Sequence, residues 1–257
     1  MKDVQREKDM RNLAIDRVGI KSLRYPITVL DKKNNKQHTI ADVEMNVSLA
    51  ADEKGTHMSR FIKILNEFRD KITMGNMVDV LKVIKERLEA EEAFMTIKFP
   101  YFLEKTAPKS GIKSLMDYDC SFIGACGKDY DEFILKVEVP ITSLCPCSKE
   151  ISDYGAHNQR STLTIEVKYD DFIWLEELIE IAETSGSCEL FSLLKRSDEK
   201  YVTERAYENP GFAEDIVREA AQNIMKLKNI TWFKVQVENF ESIHNHSAFA
   251  MIEKQLK

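Results

Sequence analysis

The chain has 257 residues, 43% of them hydrophobic, and carries a net charge of −6 with acids and bases interspersed, enough apolar material for one large or two small globular domains. No apolar run approaches the roughly 20 residues of a membrane span, the charged start MKDVQREKDMRN has no hydrophobic stretch behind it, and no basic field is available to hold a nucleic-acid backbone. Five cysteines, Cys120, Cys126, Cys145, Cys147 and Cys188, are an odd number in a chain of ordinary size, so reduced thiols and a cytoplasmic location are expected, with neither membrane nor nucleic acid as partner.

Val18 to Leu30 and Gln37 to Leu49 are β-rich runs joined by Asp31-Lys-Lys-Asn-Asn-Lys36, whose Asn pair tolerates the positive φ of a hairpin turn. Ser59 to Phe68 and Met77 to Glu91 place apolar residues three and four apart, which predicts two amphipathic helices, the first capped by Ser59. Extended runs follow at Phe94 to Lys105 and Ile112 to Ala125, around the turn-rich segment Thr106 to Gly111. The order is ββααββ.

From Glu132 the same order recurs: strands to Ile141 and over Ser161 to Tyr169, helices Phe172 to Glu183 and Phe212 to Leu227, strands Thr231 to Phe240 and Ser247 to Ile252. This reads as a structural duplication in an α+β class, each half an antiparallel four-stranded sheet with two helices on one face. The expected halves are residues 1–127 and 128–257. The second carries two long polar inserts, Thr142 to Arg160 and Cys188 to Pro210, and long loops on a rigid scaffold are where chemistry concentrates.

The first insert holds Cys145 and His157, a thiolate and an imidazole that can converge on a borderline metal if the loop folds back, although a lone C-x-C is also an ordinary turn. Near the C-terminus, His244 and His246 are two apart and would share a side of an extended segment, which leaves Glu241 opposite unless the chain bends near Ser242. The second insert alternates charges without helical or strand periodicity, so a solvated loop is the default reading. It nevertheless offers Asp198 and Glu199 as hard ligands and Lys195, Arg196, Lys200 and Arg205 as anion donors. Glu214 falls near the start of the following helix, a place the helix dipole favours for a carboxylate. Phosphate-binding loop, dinucleotide, metalloprotease and serine-hydrolase motifs are all missing.

The run Ser143-Leu-Cys-Pro-Cys-Ser-Lys-Glu-Ile-Ser, followed by Tyr154-Gly-Ala-His-Asn-Gln-Arg160, strongly resembles GTP cyclohydrolase IB. Leu194-Lys-Arg, Asp198-Glu-Lys, Val202 to Pro210 and Glu241-Ser-Ile-His-Asn-His-Ser247 look like the family's other signatures, and Lys54-Gly-Thr-His-Met-Ser-Arg60 extends the likeness into the first half. The resemblance implies the tunnelling fold, with two modules per subunit pairing edge to edge into barrels, and a homo-oligomer, expected to be a tetramer with active sites where subunits meet. It implies GTP and water as substrates, and 7,8-dihydroneopterin triphosphate and formate as products. The product would feed folate, a modified tRNA base or both.

By residue match, Cys145, His157, Glu199 and His244 would bind one divalent metal, Zn²⁺, Mn²⁺ or Fe²⁺, and Glu214 would anchor the guanine edge. Glu241 and His246 would transfer protons, with Cys145 also counted among the catalytic groups. Lys149, Arg160, Lys195 and Arg205 are the candidates for the triphosphate, and Cys147 is expected to be a packed, inert thiol. Two other readings are a relative that ends at a cyclic phosphate product and a non-catalytic oligomer in which the metal is structural.

Overall fold

The structure, a computed structural model, describes residues 5, 7–68 and 75–257. Residues 1–4 and 6, from the charged N-terminal run, and residues 69–74 lie outside the described residues. The described residues form nine strands and six helices: β1 (Ile15–Asp31), β2 (Asn35–Leu49), α1 (Met58–Glu67), α2 (Met77–Arg87), β3 (Ala93–Thr106), β4 (Lys113–Cys126), β5 (Asp131–Leu144), α3 (Pro146–Ile151), β6 (Asn158–Tyr169), α4 (Leu175–Ser185), β7 (Cys188–Glu189), α5 (Arg196–Glu208), α6 (Ala213–Met225), β8 (Ile230–Asn239) and β9 (Ala248–Gln255). Hydrogen-bonded neighbours follow the order β1-β2-β3-β4-β5-β6-β8-β9, with the short β7 on β5. Among the described residues no helix is long and apolar enough to cross a membrane. Two compact units are present, residues 1–100 with 121–135, and residues 101–120 with 136–257.

In the first unit, β1 and β2 form the expected hairpin, paired from Ile15↔Leu49 to Asp31↔Asn35. Its turn is shaped by Asp31, whose Oδ1 accepts the N–H groups of Lys33 at 2.9 Å and Asn34 at 2.6 Å, while Asn35 takes φ +67°. Alternate residues of β2, from Ala41 to Leu49, are buried, as are Phe61, Ile64 and Leu65 of α1 and the apolar stripe of α2. Each of the larger ones in β2, Val43, Met45, Val47 and Leu49, contributes about 1.5–3 kcal/mol on burial. A Cβ on Gly124 would stand 2.7 Å from the Leu81 side chain, so any larger residue there would have to displace that leucine of α2.

Two helix ends in this unit fall elsewhere than expected for a clear reason. His57, extended at φ −85° and ψ 103°, occupies the N-cap position of α1 without a side-chain cap, which leaves Ser59 inside the first turn. The second helix stops at Arg87, because Glu89 adopts φ +56° and the N–H groups of Glu89 and Ala90 turn back to the carbonyls of Glu86 and Lys85. That left-handed closure ends a helix whatever the apolar pattern beyond it.

In the second unit, β6 and β8 pair in antiparallel register from Ser161↔Asn239 to Tyr169↔Ile230, and β9 continues the ladder. Leu163, Ile165 and Val167 of β6, with Phe233, Val235 and Val237 of β8, are buried with the apolar faces of α4 and α6. The second insert, expected as a solvated loop, contains the helix α5. Periodicity missed it because only Asp198 and Ala206 of its residues are buried, too few to draw an apolar stripe.

What holds α5 is a carboxylate. Asp198 is fully buried, and its oxygens accept the N–H groups of Lys109 (2.8 Å), Ser110 (2.8 Å) and Lys195 (2.9 Å) and the Ser110 hydroxyl (2.6 Å). Burial by itself would raise its pKa, but these hydrogen bonds from Ser110, Lys195 and Lys109 outweigh it and hold the carboxyl well below the usual carboxylate range. Its contribution to stability is therefore complete above the ordinary carboxylate pKa and fades as pH falls through and below that range. Asp198→Asn, which turns an amide toward donors, is expected to lower the melting temperature by several degrees at pH 7. The gap from the parent should narrow below about pH 4, and scanning fluorimetry of both proteins across pH 3 to 8 reads it; equal melting temperatures throughout would remove Asp198 as the anchor.

Candidate active site

In the second unit a cavity of about 310 Å³ is lined by Cys145, His157, Glu214, Glu241, His244 and His246, residues drawn from three separate segments of sequence. Each arrives by a local rule of the chain. Cys145 follows the end of β5 and caps α3, with Sγ accepting the Ser148 N–H at 3.4 Å. The first insert does fold back: the Cys145 N–H donates to the His157 carbonyl at 3.1 Å, and the His157 N–H donates to the Ser148 hydroxyl at 3.2 Å.

Glu214 is the second residue of α6 and is exposed in its first turn. The start of that helix is fastened by the Gly211 N–H on the Leu144 carbonyl, 3.1 Å, and the Phe212 N–H on Asp215, 3.1 Å. The third segment makes the bend the sequence required. β8 ends at Asn239, and the Glu241 N–H reaches back to the Asn239 carbonyl at 3.0 Å, so residues 240–247 leave the strand as a loop. Glu241, His244 and His246 consequently line one cavity, with the two imidazoles stacked at 5.1 Å between centroids.

Two buried amides complete the wall, and sequence reasoning assigned neither a role. Gln159 sits between His157 and Glu241: its Oε1 is 3.0 Å from His157 Nδ1, and its Nε2 donates to the Ser143 hydroxyl at 2.8 Å and reaches Glu241 Oε1 at 3.5 Å. Asn239 is 3% exposed, and its Oδ1 has no hydrogen-bond partner among the described residues. A buried acceptor without a donor is costly, and the residue that carries it lines the cavity. Gln159 lay inside a recognisable motif, but a neutral amide in a polar loop carries no signal of its own.

The remaining candidates lie outside that lining. Glu199 is exposed on the first turn of α5, and Lys195 caps that helix. The Lys149 ammonium donates to the Tyr207 carbonyl at 2.6 Å and lies over the Tyr207 ring. Arg205 faces Glu189 at 3.6 Å. Arg160 borders a different cleft, of about 580 Å³, with Asp117, Asp119 and Glu138. There the Asp119 carboxyl is pushed up by burial and by the neighbouring charges of Glu138 and Asp117. Cys147 is exposed rather than packed, because no residue of the short α3 is buried.

Among the described residues no three His, Cys, Asp or Glu side chains stand in a ready metal-binding cluster. The donor types nevertheless fit a borderline divalent cation: the thiol of Cys145 and the imidazoles of His157 and His244 open onto one cavity. Glu241 lies beside His157, 3.9 Å away, with its side chain 11% exposed.

Solved structures similar to this chain include the urate oxidase of Bacillus sp. TB-90, with a TM-score of 0.57 at 10% identity over 94% of this chain and all of the other, and the uricase of Arthrobacter globiformis, 0.54 at 8% identity over 98% and 96%. At such identity the likeness shows the fold alone. In sequence the chain is 57% identical to the GTP cyclohydrolase FolE2 of Geotalea uraniireducens over 99% of its length and 93% of the relative's. It is 54% identical to that of Geobacter metallireducens over 100% and 98%. The family described as type I GTP cyclohydrolase folE2 matches residues 1–250, and with identity above half along its whole length the chain belongs to that family.

Proposed function

We propose that this chain converts GTP and water to 7,8-dihydroneopterin triphosphate and formate, the entry step to tetrahydrofolate. What carries the reading is membership of the family along the whole chain, and the cavity holds the residue types the reaction needs. Guanine C8 is a poor electrophile, so opening the ring needs an activated water and a proton delivered to N7. A divalent metal held by Cys145, His157, His244 and Glu199 would supply a water acidic near neutral pH.

The chain's own groups do the rest. Glu214, exposed at a helix start, accepts the N1–H and 2-amino hydrogens of guanine, a pair that hypoxanthine lacks. His246 delivers the proton to N7. Glu241, shielded and next to His157, takes and returns protons during formamide hydrolysis and ring closure. Lys149, Arg160, Lys195 and Arg205 are assigned to the triphosphate.

The assembly belongs to the same proposal. Residues 1–127 and 128–257 are two tunnelling-fold modules, and β1 and β9, each paired on one side only among the described residues, close onto other copies in a tetrameric barrel. The position of Glu199 and of the basic side chains outside the cavity lining accords with active sites that draw on more than one copy.

Purified protein reconstituted with Zn²⁺ or Mn²⁺ and given GTP should release formate and a fluorescent pterin. No formate would end the proposal, and a cyclic phosphate product by mass spectrometry would revise it. Glu214→Gln, which sets donors against donors, is expected to lower kcat/KM for GTP about 100-fold while bound metal is unchanged; unaltered kinetics would take Glu214 out of the site. Cys145→Ser should lose both metal and turnover, since a serine hydroxyl stays protonated near neutrality. Cys147→Ser, at an exposed position, should keep metal, turnover and melting temperature. The reverse outcome would move the ligand to Cys147.

A further inference from the structure

We propose that Gln159 is a positioning residue that fixes which nitrogen of His157 faces the cavity and couples that ring to Glu241. The inference deepens the reading above and rests on it for the roles of His157 and Glu241, but its physical basis is a chain of contacts. The Gln159 amide has one acceptor end and one donor end, and either could point at His157. Its surroundings choose. At one end lies Glu241 Oε1, 3.5 Å away, a carboxylate oxygen that only accepts, together with the Ser143 hydroxyl at 2.8 Å.

An amide oxygen turned toward that carboxylate would meet an electron-rich oxygen in a site where Glu241 is 11% exposed and Gln159 8%. The NH₂ end therefore faces Glu241 and Ser143. Ser143 is itself fully buried and accepts the Ser161 hydroxyl at 2.9 Å, and the carboxylate of Glu241 is what sets the direction of the amide. The oxygen end is then left 3.0 Å from His157 Nδ1, and since it only accepts, Nδ1 must carry the proton. His157 Nε2 is thereby the lone-pair nitrogen, the form a metal-binding imidazole requires.

The measurement is ¹⁵N NMR of histidine-labelled, metal-free protein, with the His157 ring assigned through a His157→Gln variant. The parent should show the proton on Nδ1; a parent ring protonated on Nε2 overturns the proposal without any change at Gln159. Gln159→Glu retains an acceptor for His157 and should retain the Nδ1 proton. Gln159→Met removes it and should shift the proton toward Nε2. Titration with Zn²⁺ against a chelator should show affinity weakened about 10–100-fold in Gln159→Met, with a smaller loss in Gln159→Glu. Both should melt as folded proteins. A Gln159→Met protein with the parent's tautomer and zinc affinity would reduce Gln159 to a packing residue. None of these readings involves GTP, so a protein that fails to release formate would defeat the proposed function while leaving this test intact.

Discussion

The second unit depends on how the last residues of β5 dispose of their backbone groups. Leu144 is buried, and a buried N–H or C=O must find a partner. The Leu144 N–H takes the Ser187 hydroxyl, its carbonyl takes the Gly211 N–H, and the next N–H, of Cys145, takes the His157 carbonyl. One strand end thus fastens the turn after α4, the start of α6 and the start of β6. The side chain of Leu144 forms a small core with Cys188 and Ala206, against which Ala156 and Val202 pack, so α5 joins the same knot. A cavity assembled from distant segments follows from these few bonds more than from any general affinity of the segments for each other.

This arrangement explains which parts of the molecule were legible in advance. The β1–β2 hairpin, α2, α4 and α6 each repeat an apolar pattern that their packing uses, and the pattern is local. The helix α5 is not legible that way. It is fixed by hydrogen bonds from Lys109 and Ser110 to one aspartate, a relation that no window of sequence around residue 198 contains. Ser59 shows the converse, a residue type that fits a cap while the chain geometry places the cap at His57.

For the site, the reactive residue types were legible and their supports were not. Cys145, His157, Glu214, Glu241, His244 and His246 stand out because thiols, imidazoles and carboxylates are chemically conspicuous, and the cavity gathers them. Gln159, Ser143 and Asn239 are neutral, and their importance lies in burial and direction, which only the fold supplies. The pair Asp198 and Glu199 makes the distinction within two adjacent residues. Both are carboxylates in one polar insert, yet one is fully buried and spent on four hydrogen bonds while the other stands exposed.

The clasp at Asp198 also bears on the order of events as the chain folds. Its partners lie 88 and 89 residues away along the backbone, so the loop between them must close before the aspartate gains anything. A helix with almost no apolar face has little reason to persist alone in water. It becomes lasting only once the turn between β3 and β4 has formed and met it. The formation of α5 is thus a late step, set by long-range closure rather than by local preference. Lys195, Glu199 and Arg205 take up their places with it.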